Sequence, residues 1–303
     1  MQGLVVAAWV GVIMSGPPEG PKSEDQEHTL EPGAASEAVS THRPDIRVRL
    51  EIDLPIFVGF VGVFGATEGF KSKIAPASCR WCETGRGELA IRDALVWRKP
   101  DAAALSSDLI AYAGLPVFAL ALTLTSVGRE KSWRHLHEDL LVAFEAVAIS
   151  AALTNTIKFG VGRQRPYATF SPTPISFTDD PDQNLGFPSG HTSFAFSLAT
   201  SFATVATLRE RKLAPVLWGV GVPVAGFVGY LRMAGDRHWF GDVLAGAGLG
   251  TLIGVGVPWL LHHPRTGIIP RAQARARGRG RDHAGFELQV LPAPGGVSVS
   301  GRM

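Results

Sequence analysis

A chain of 303 residues can hold one large domain or two small ones. Its composition, 46% hydrophobic against 18% charged with 35 glycines, fits a polytopic membrane protein better than an ordinary soluble domain. The formal net charge of +2 is too small to point to a nucleic-acid partner. Charge is instead segregated: acidic residues crowd between Glu19 and Glu51, while six arginines with no intervening acid run from Arg265 to Arg281. That run marks a basic tail, either solvated or touching anionic lipid headgroups.

In chain order, Leu4 to Met14 is an apolar run of signal-peptide length without a basic n-region, so residues 1–15 are expected to be a secretory signal or an uncleaved anchor. Residues 16–47, rich in Pro, Glu, Ser and Gly, are expected to be a disordered linker. Leu54 to Ala66 is apolar but shorter than the ~20 residues a spanning helix needs. Cys79 and Cys82 form a lone C-x-x-C pair. With no second pair to complete a zinc site, a local disulfide in an oxidising compartment is the favoured reading and free thiols the alternative.

Five stronger apolar segments follow: Leu109 to Ser126, Leu140 to Ile157, Thr192 to Leu208, Pro215 to Leu231 and Val243 to Leu261. Each is near spanning length and almost free of charge, Glu145 being the exception. The alternative, buried helices of a large soluble protein, rests on their Ala/Gly/Ser/Thr content. Small residues such as Gly246, Gly250 and Gly254, spaced four apart, equally suit close helix packing in lipid. Residues 48–262 are thus expected to form an all-α, polytopic membrane bundle of five or six apolar helices. Residues 263–303 are expected to form a basic, flexible tail, in which the FELQVLP run at Phe286 is either a short strand or, as favoured, part of a disordered end.

Three polar stretches interrupt the apolar segments: KFGVGRQRP from Lys158, PSGH from Pro188, and RMAGDRHWFGD from Arg232. Two crossings separate the loop holding the first two from the loop holding the third, so all three face one side of the membrane. The basic RERK run from Arg209 lies on the other side, which makes that side cytoplasmic and turns the motifs outward.

A phosphate ester demands an in-line nucleophile and fixed positive charge around the equatorial oxygens. His238 can attack as neutral imidazole, and Asp242, one helical turn on, is placed to accept the other ring N–H. His191 is then free to protonate the leaving oxygen and activate water. Lys158 and Arg165 are seven apart, so one helix ending near Pro166 would aim both at a single oxyanion, although Gly160 and Gly162 argue against that helix. Arg232 offers a planar fork, and Ser189 and the Gly190 amide would sit at a helix N-terminus, an anion cradle. Arg163 and Arg237 read as rim or headgroup contacts, Asp236 as a surface partner of one of them, and Glu145 as a structural intramembrane contact.

These stretches resemble the three signature motifs of the type 2 phosphatidic acid phosphatase family, which includes bacterial acid phosphatases and vanadium haloperoxidases. The match covers Lys158, Arg165, Pro166, Pro188, Ser189, Gly190, His191, Arg232, His238 and Asp242 in order and spacing, with Leu231 standing where the family usually has Ser. The resemblance implies a helical bundle, a phosphohistidine on His238 and no cofactor; having enough Lys and Arg to neutralise the phosphate and no cluster of carboxylates to hold a metal, the chain is expected to work without metal and to be inhibited by vanadate. The expected activity is hydrolysis of a lipid phosphate monoester or diphosphate, of phosphatidic acid or polyprenyl diphosphate type, at a bacterial inner membrane with the site facing the periplasm. The competing readings are a broad-specificity periplasmic acid phosphatase, a vanadium-dependent haloperoxidase and a non-catalytic phospholipid binder.

Overall fold

The computed structural model describes residues 44–270, together with the backbone of 287–293 and 296–302. The expected signal segment and most of the expected linker lie outside the described residues. Residues 44–47, placed with the linker on composition, are anchored instead. Ile46 is buried, Arg47 donates to the Gly267 carbonyl, and the Arg47 carbonyl lies 2.7 Å from His262 Nδ1.

Among the described residues, six long helices make the bundle: α1 (Leu50–Gly69), α2 (Pro100–Arg129), α3 (Leu136–Val161), α4 (Gly190–Leu208), α5 (Ala214–Ala234) and α6 (Phe240–Leu261). Five elements, α1, α2, α5, α6 and α3 with the turn that leads into it, are long and apolar enough to cross a membrane, and the chain is an integral membrane protein. The segment that looked too short, Leu54 to Ala66, is extended at both ends into the 20-residue α1. A helix of that length rises ~30 Å, the thickness of the hydrocarbon core.

α4 falls outside that set because it need not be strongly apolar. It runs through the centre of the bundle, where Ala195, Leu198, Ala203 and most of its Ser and Thr residues are buried. Its hydroxyls are satisfied locally or by neighbours: Thr200 and Thr204 donate back to the carbonyls four residues earlier, and Ser193 Oγ lies 2.9 Å from both Ser150 Oγ and Thr154 Oγ1 of α3. The Gly246, Gly250, Gly254 stripe of α6 faces α4. A Cβ at 246 would come within 2.6 Å of the Ser189 carbonyl, and one at 250 would run into the Ser193 carbonyl. Wide π-type turns at Ile110–Gly114, Leu217–Gly221 and Val257–Leu261 adjoin or contain Pro116, Pro223 and Pro258. A proline removes one helical N–H and crowds the preceding turn, and the wider turn relieves both effects.

The two arginines of the RERK run do not lie free at the membrane face. Arg209 is fully buried, with Nε 2.8 Å from Asp139 and a second bond to Glu138, while Arg211 pairs with Asp139 and, at 3.1 Å, with Glu130. This network ties α3 to the end of α4.

The tail forms a separate unit, residues 271–303. Within it Glu287–Ala293 and Gly296–Arg302 pair as antiparallel strands, Val290 opposite Val299. The disordered end expected there is corrected by this hairpin, whose Val-containing alternation suits an extended ladder. Residues 263–270, also counted with the tail, close back on the bundle through Ile268 N–H to the Leu260 carbonyl (2.9 Å) and Ile269 N–H to the Leu261 carbonyl (3.1 Å).

Candidate active site

The three polar stretches meet at one end of the bundle. α3 ends at Val161 because Gly162 takes a left-handed conformation (φ 62°), which a Cβ would strain and which closes the helix through its N–H to the Lys158 carbonyl. Lys158 and Arg165 therefore do not share a helix, as the seven-residue spacing suggested. Arg165 arrives on the extended stretch beyond Gly162, held by its backbone N–H to the Gln183 carbonyl (2.8 Å).

PSGH is placed as its sequence implies: Ser189 is the N-cap and Gly190 the first residue of α4. The Lys158 ammonium reaches that terminus, since a Cβ on Gly190 would stand 2.9 Å from Lys158 Nζ. His191, in the first turn, puts Nε2 2.7 Å from Asp108 Oδ1, and the same oxygen is 3.0 Å from Arg232 Nη1. Ser107 Oγ accepts a second bond from that nitrogen (2.9 Å). Support for Arg232 thus comes from α2, while Leu231, where the resembled family usually has Ser, packs with Ala103 and Ala234.

His238 is buried, and its Nδ1 lies 2.8 Å from the Gly186 carbonyl, so Nδ1 carries the proton and Nε2 is left with a lone pair. Asp242 was expected to accept that N–H, but its Oδ2 is 3.5 Å away, too far for a good hydrogen bond. Its carboxylate accepts instead from the Trp239 backbone N–H (2.9 Å) and from Arg163 Nη1 (2.6 Å). The reason is local: Asp242 is the third residue of α6, where an acid satisfies the unpaired amides of the first turn.

Arg163 corrects a second expectation. It is buried between Asp242 and Glu88 with its guanidinium 4.0 Å over the Trp81 ring, and is not a rim cation. Asp236 pairs with neither Arg163 nor Arg237; it takes a two-pronged contact from Arg92 (2.7 and 2.8 Å). Arg237 does sit at the rim, paired with exposed Asp101 at 3.0 Å. Cys79 and Cys82 form the favoured disulfide, on a segment whose Arg80 and Trp81 N–H groups both point to the Gly162 carbonyl.

Sequence reasoning missed Asp108, Gly186 and Asp182. Asp182 lies 3.2 Å from Lys71 and 3.7 Å from Arg165, and although burial opposes ionisation, Arg165, Lys71 and Lys158 hold its carboxyl well below the usual range. Nothing in the spacing of these residues marks them. The imidazole of His238 is driven far toward its neutral form by burial first, then by the charges of Arg165, Arg232 and Lys158. Buried Nε donors of Arg165 and Arg232 have no hydrogen-bond partner. The arrangement is a neutral nitrogen lone pair among guanidinium and ammonium groups with donors to spare, which can receive a tetrahedral oxyanion. The carboxylates around it are tied to cations, and the one His/Asp/Glu group among the described residues compact enough to hold a metal lies elsewhere.

Part of this chain is similar to known proteins. Lipid A 1-phosphatase of Porphyromonas gingivalis is 35% identical over 128 residues, 42% of this chain and 24% of that protein, so the chain spans about a quarter of that relative's length. A crystal structure of a transmembrane PAP2 type phosphatidylglycerolphosphate phosphatase from Bacillus subtilis aligns over 68% of this chain and 93% of its own, with 21% identity and a TM-score of 0.41. The model of the PAP2 superfamily matches residues 139–265 of this chain, the stretch that carries all three motifs.

Proposed function

We propose that this protein is a membrane phosphatase that hydrolyses a lipid phosphate monoester or diphosphate through a phosphohistidine on His238. The observation that carries the reading is the neutral His238 imidazole, its Nδ1 proton held by the Gly186 carbonyl, set among Lys158, Arg165 and Arg232. In the first step Nε2 attacks phosphorus while the bond to the leaving oxygen breaks. Arg165, Arg232, Lys158 and the Gly190 amide neutralise the equatorial oxygens, and His191 gives the leaving alkoxide, or the leaving phosphate of a diphosphate, a proton. In the second step His191 takes a proton from water, whose oxygen displaces the phosphoryl group from Nε2. Asp108 orients His191 and joins it to Arg232; Asp242 acts on His238 indirectly, by fixing the start of α6. The residues present supply the positive charge the reaction needs, so the proposal includes no metal and no cofactor, and vanadate, which adopts the five-coordinate geometry of the transferring group, is expected to inhibit.

A lipid substrate is supported by the position of the site at the ends of spanning helices. There a lipid-borne phosphate arrives concentrated and oriented, an advantage a soluble ester lacks. The partial identity to a lipid A phosphatase points the same way. We place the site on the periplasmic face of a bacterial inner membrane. The Cys79–Cys82 disulfide at the site end of the bundle fits an oxidising compartment.

The test is kcat/KM in detergent micelles for phosphatidic acid and polyprenyl diphosphate against p-nitrophenyl phosphate, with His238→Ala and His191→Ala as controls. Higher values for a lipid, and loss of at least ~10²-fold in both variants, are expected. Equal values for the soluble ester would point to a broad acid phosphatase, and wild-type turnover by His238→Ala would remove the phosphohistidine.

A further inference from the structure

Asp53 of α1, Glu145 of α3 and His262, just beyond α6, come together at the end of the bundle away from the phosphate site. All three are fully buried. One ligating atom from each lies within 4.8 Å of the others, and His262 Nε2 is 3.5 Å from Glu145 Oε2. Asp53 Oδ1, both Glu145 oxygens and His262 Nε2 have no hydrogen-bond partner. Among the described residues, no Lys or Arg side chain forms an ion pair with either carboxylate.

Two carboxylates without a cation in an apolar interior are strongly destabilising. A divalent ion between them and a neutral imidazole would leave the group with no net charge. The histidine is also prepared for such a role. Its Nδ1 is 2.7 Å from the Arg47 carbonyl, which places the proton there and turns the Nε2 lone pair toward the carboxylates. Metal-bound histidines are characteristically oriented by such a bond from the other ring nitrogen. The 3.5 Å separation of His262 Nε2 and Glu145 Oε2 is close to the ~3.4 Å edge of a tetrahedron with ~2.1 Å bonds, the geometry of zinc with nitrogen and oxygen ligands. Asp53 is itself fixed, since its Oδ2 accepts the Arg49 backbone N–H (2.7 Å) and Oδ1 remains for the ion.

We propose that Asp53, Glu145 and His262 form a structural site for a divalent transition-metal ion, zinc first, that fastens α1 to α3 and the end of α6. α1 has most need of such a tie, because it is the helix with the smallest buried share among the candidate spans, 11%. The site is remote from the phosphate cage and takes no part in hydrolysis.

The test uses the full chain purified in detergent without chelator. Elemental analysis is expected to find about one equivalent of zinc or a similar metal per chain. Prolonged chelation should lower Tm, and added Zn2+, but not Mg2+, should restore it. X-ray absorption of the bound ion should show nitrogen and oxygen neighbours and no sulfur. Glu145→Gln and His262→Gln are each expected to weaken Zn2+ binding by more than about tenfold, the loss that follows from disturbing even an outer partner of a metal-bound histidine. Should a variant fail to fold, titration of chelated wild type decides. A metal-free protein whose Tm does not respond to Zn2+ or Mn2+ would overturn the proposal and leave the cluster neutralised by protons, as would variants that bind Zn2+ as tightly as wild type.

Discussion

Arg163 stands between two carboxylates, so its removal leaves both Asp242 and Glu88 without their cation. Breaking a buried pair from one side costs about 3–5 kcal/mol, far more than losing a rim contact. Arg163→Ala is therefore expected to lower stability by that order in thermal unfolding and to disorder the start of α6, whereas Arg237→Ala, at the exposed pair with Asp101, should change Tm little. Equal effects would return Arg163 to the rim. Gly190 makes the opposite separation, of activity from stability. A methyl there would meet only the mobile end of Lys158, so Gly190→Ala should fold with near-native Tm. The ammonium is displaced by roughly an ångström, a shift that can lower kcat about 10²-fold. Unchanged kcat would show that Lys158 does not need its position beside the α4 terminus.

At the scale of elements, the central contact is α6 against α4, made close by the glycine stripe. Helix propensity by itself favours Ala over Gly by about 1 kcal/mol. At 250 the methyl would collide with the Ser193 carbonyl and come within 3.0 Å of Phe196 Cβ and Ser197 N, atoms that cannot move without moving α4. Overpacking of this kind costs about 1–3 kcal/mol, so the steric term wins. Gly250→Ala is expected to lower Tm and turnover together, because α4 carries His191. Gly248, with nothing within 4 Å of its added Cβ, is the control, and Gly248→Ala should be neutral or slightly stabilising.

For the whole molecule, six helices put both described ends of the bundle, Pro44 and Pro270, at the face opposite the phosphate site. With Cys79 and Cys82 replaced by Ser, a membrane-impermeant thiol reagent applied to intact cells should label Asp179→Cys and leave Glu210→Cys unlabelled. The reverse pattern would turn the site to the cytoplasm. The sequence by itself determined the all-α bundle and the shared face of the candidate site residues, because apolar length, small-residue spacing and motif order are properties of consecutive residues. It also marked PSGH as a helix start. What it did not carry are the partners: Gly186 and not Asp242 for His238, Asp108 and Ser107 for Arg232, Glu88 for Arg163, and Asp53 with His262 for Glu145. Each of those pairs joins residues from different segments of the chain. A partner 52 to 125 positions away leaves no periodic trace, so only the packing of the helices decides which groups meet.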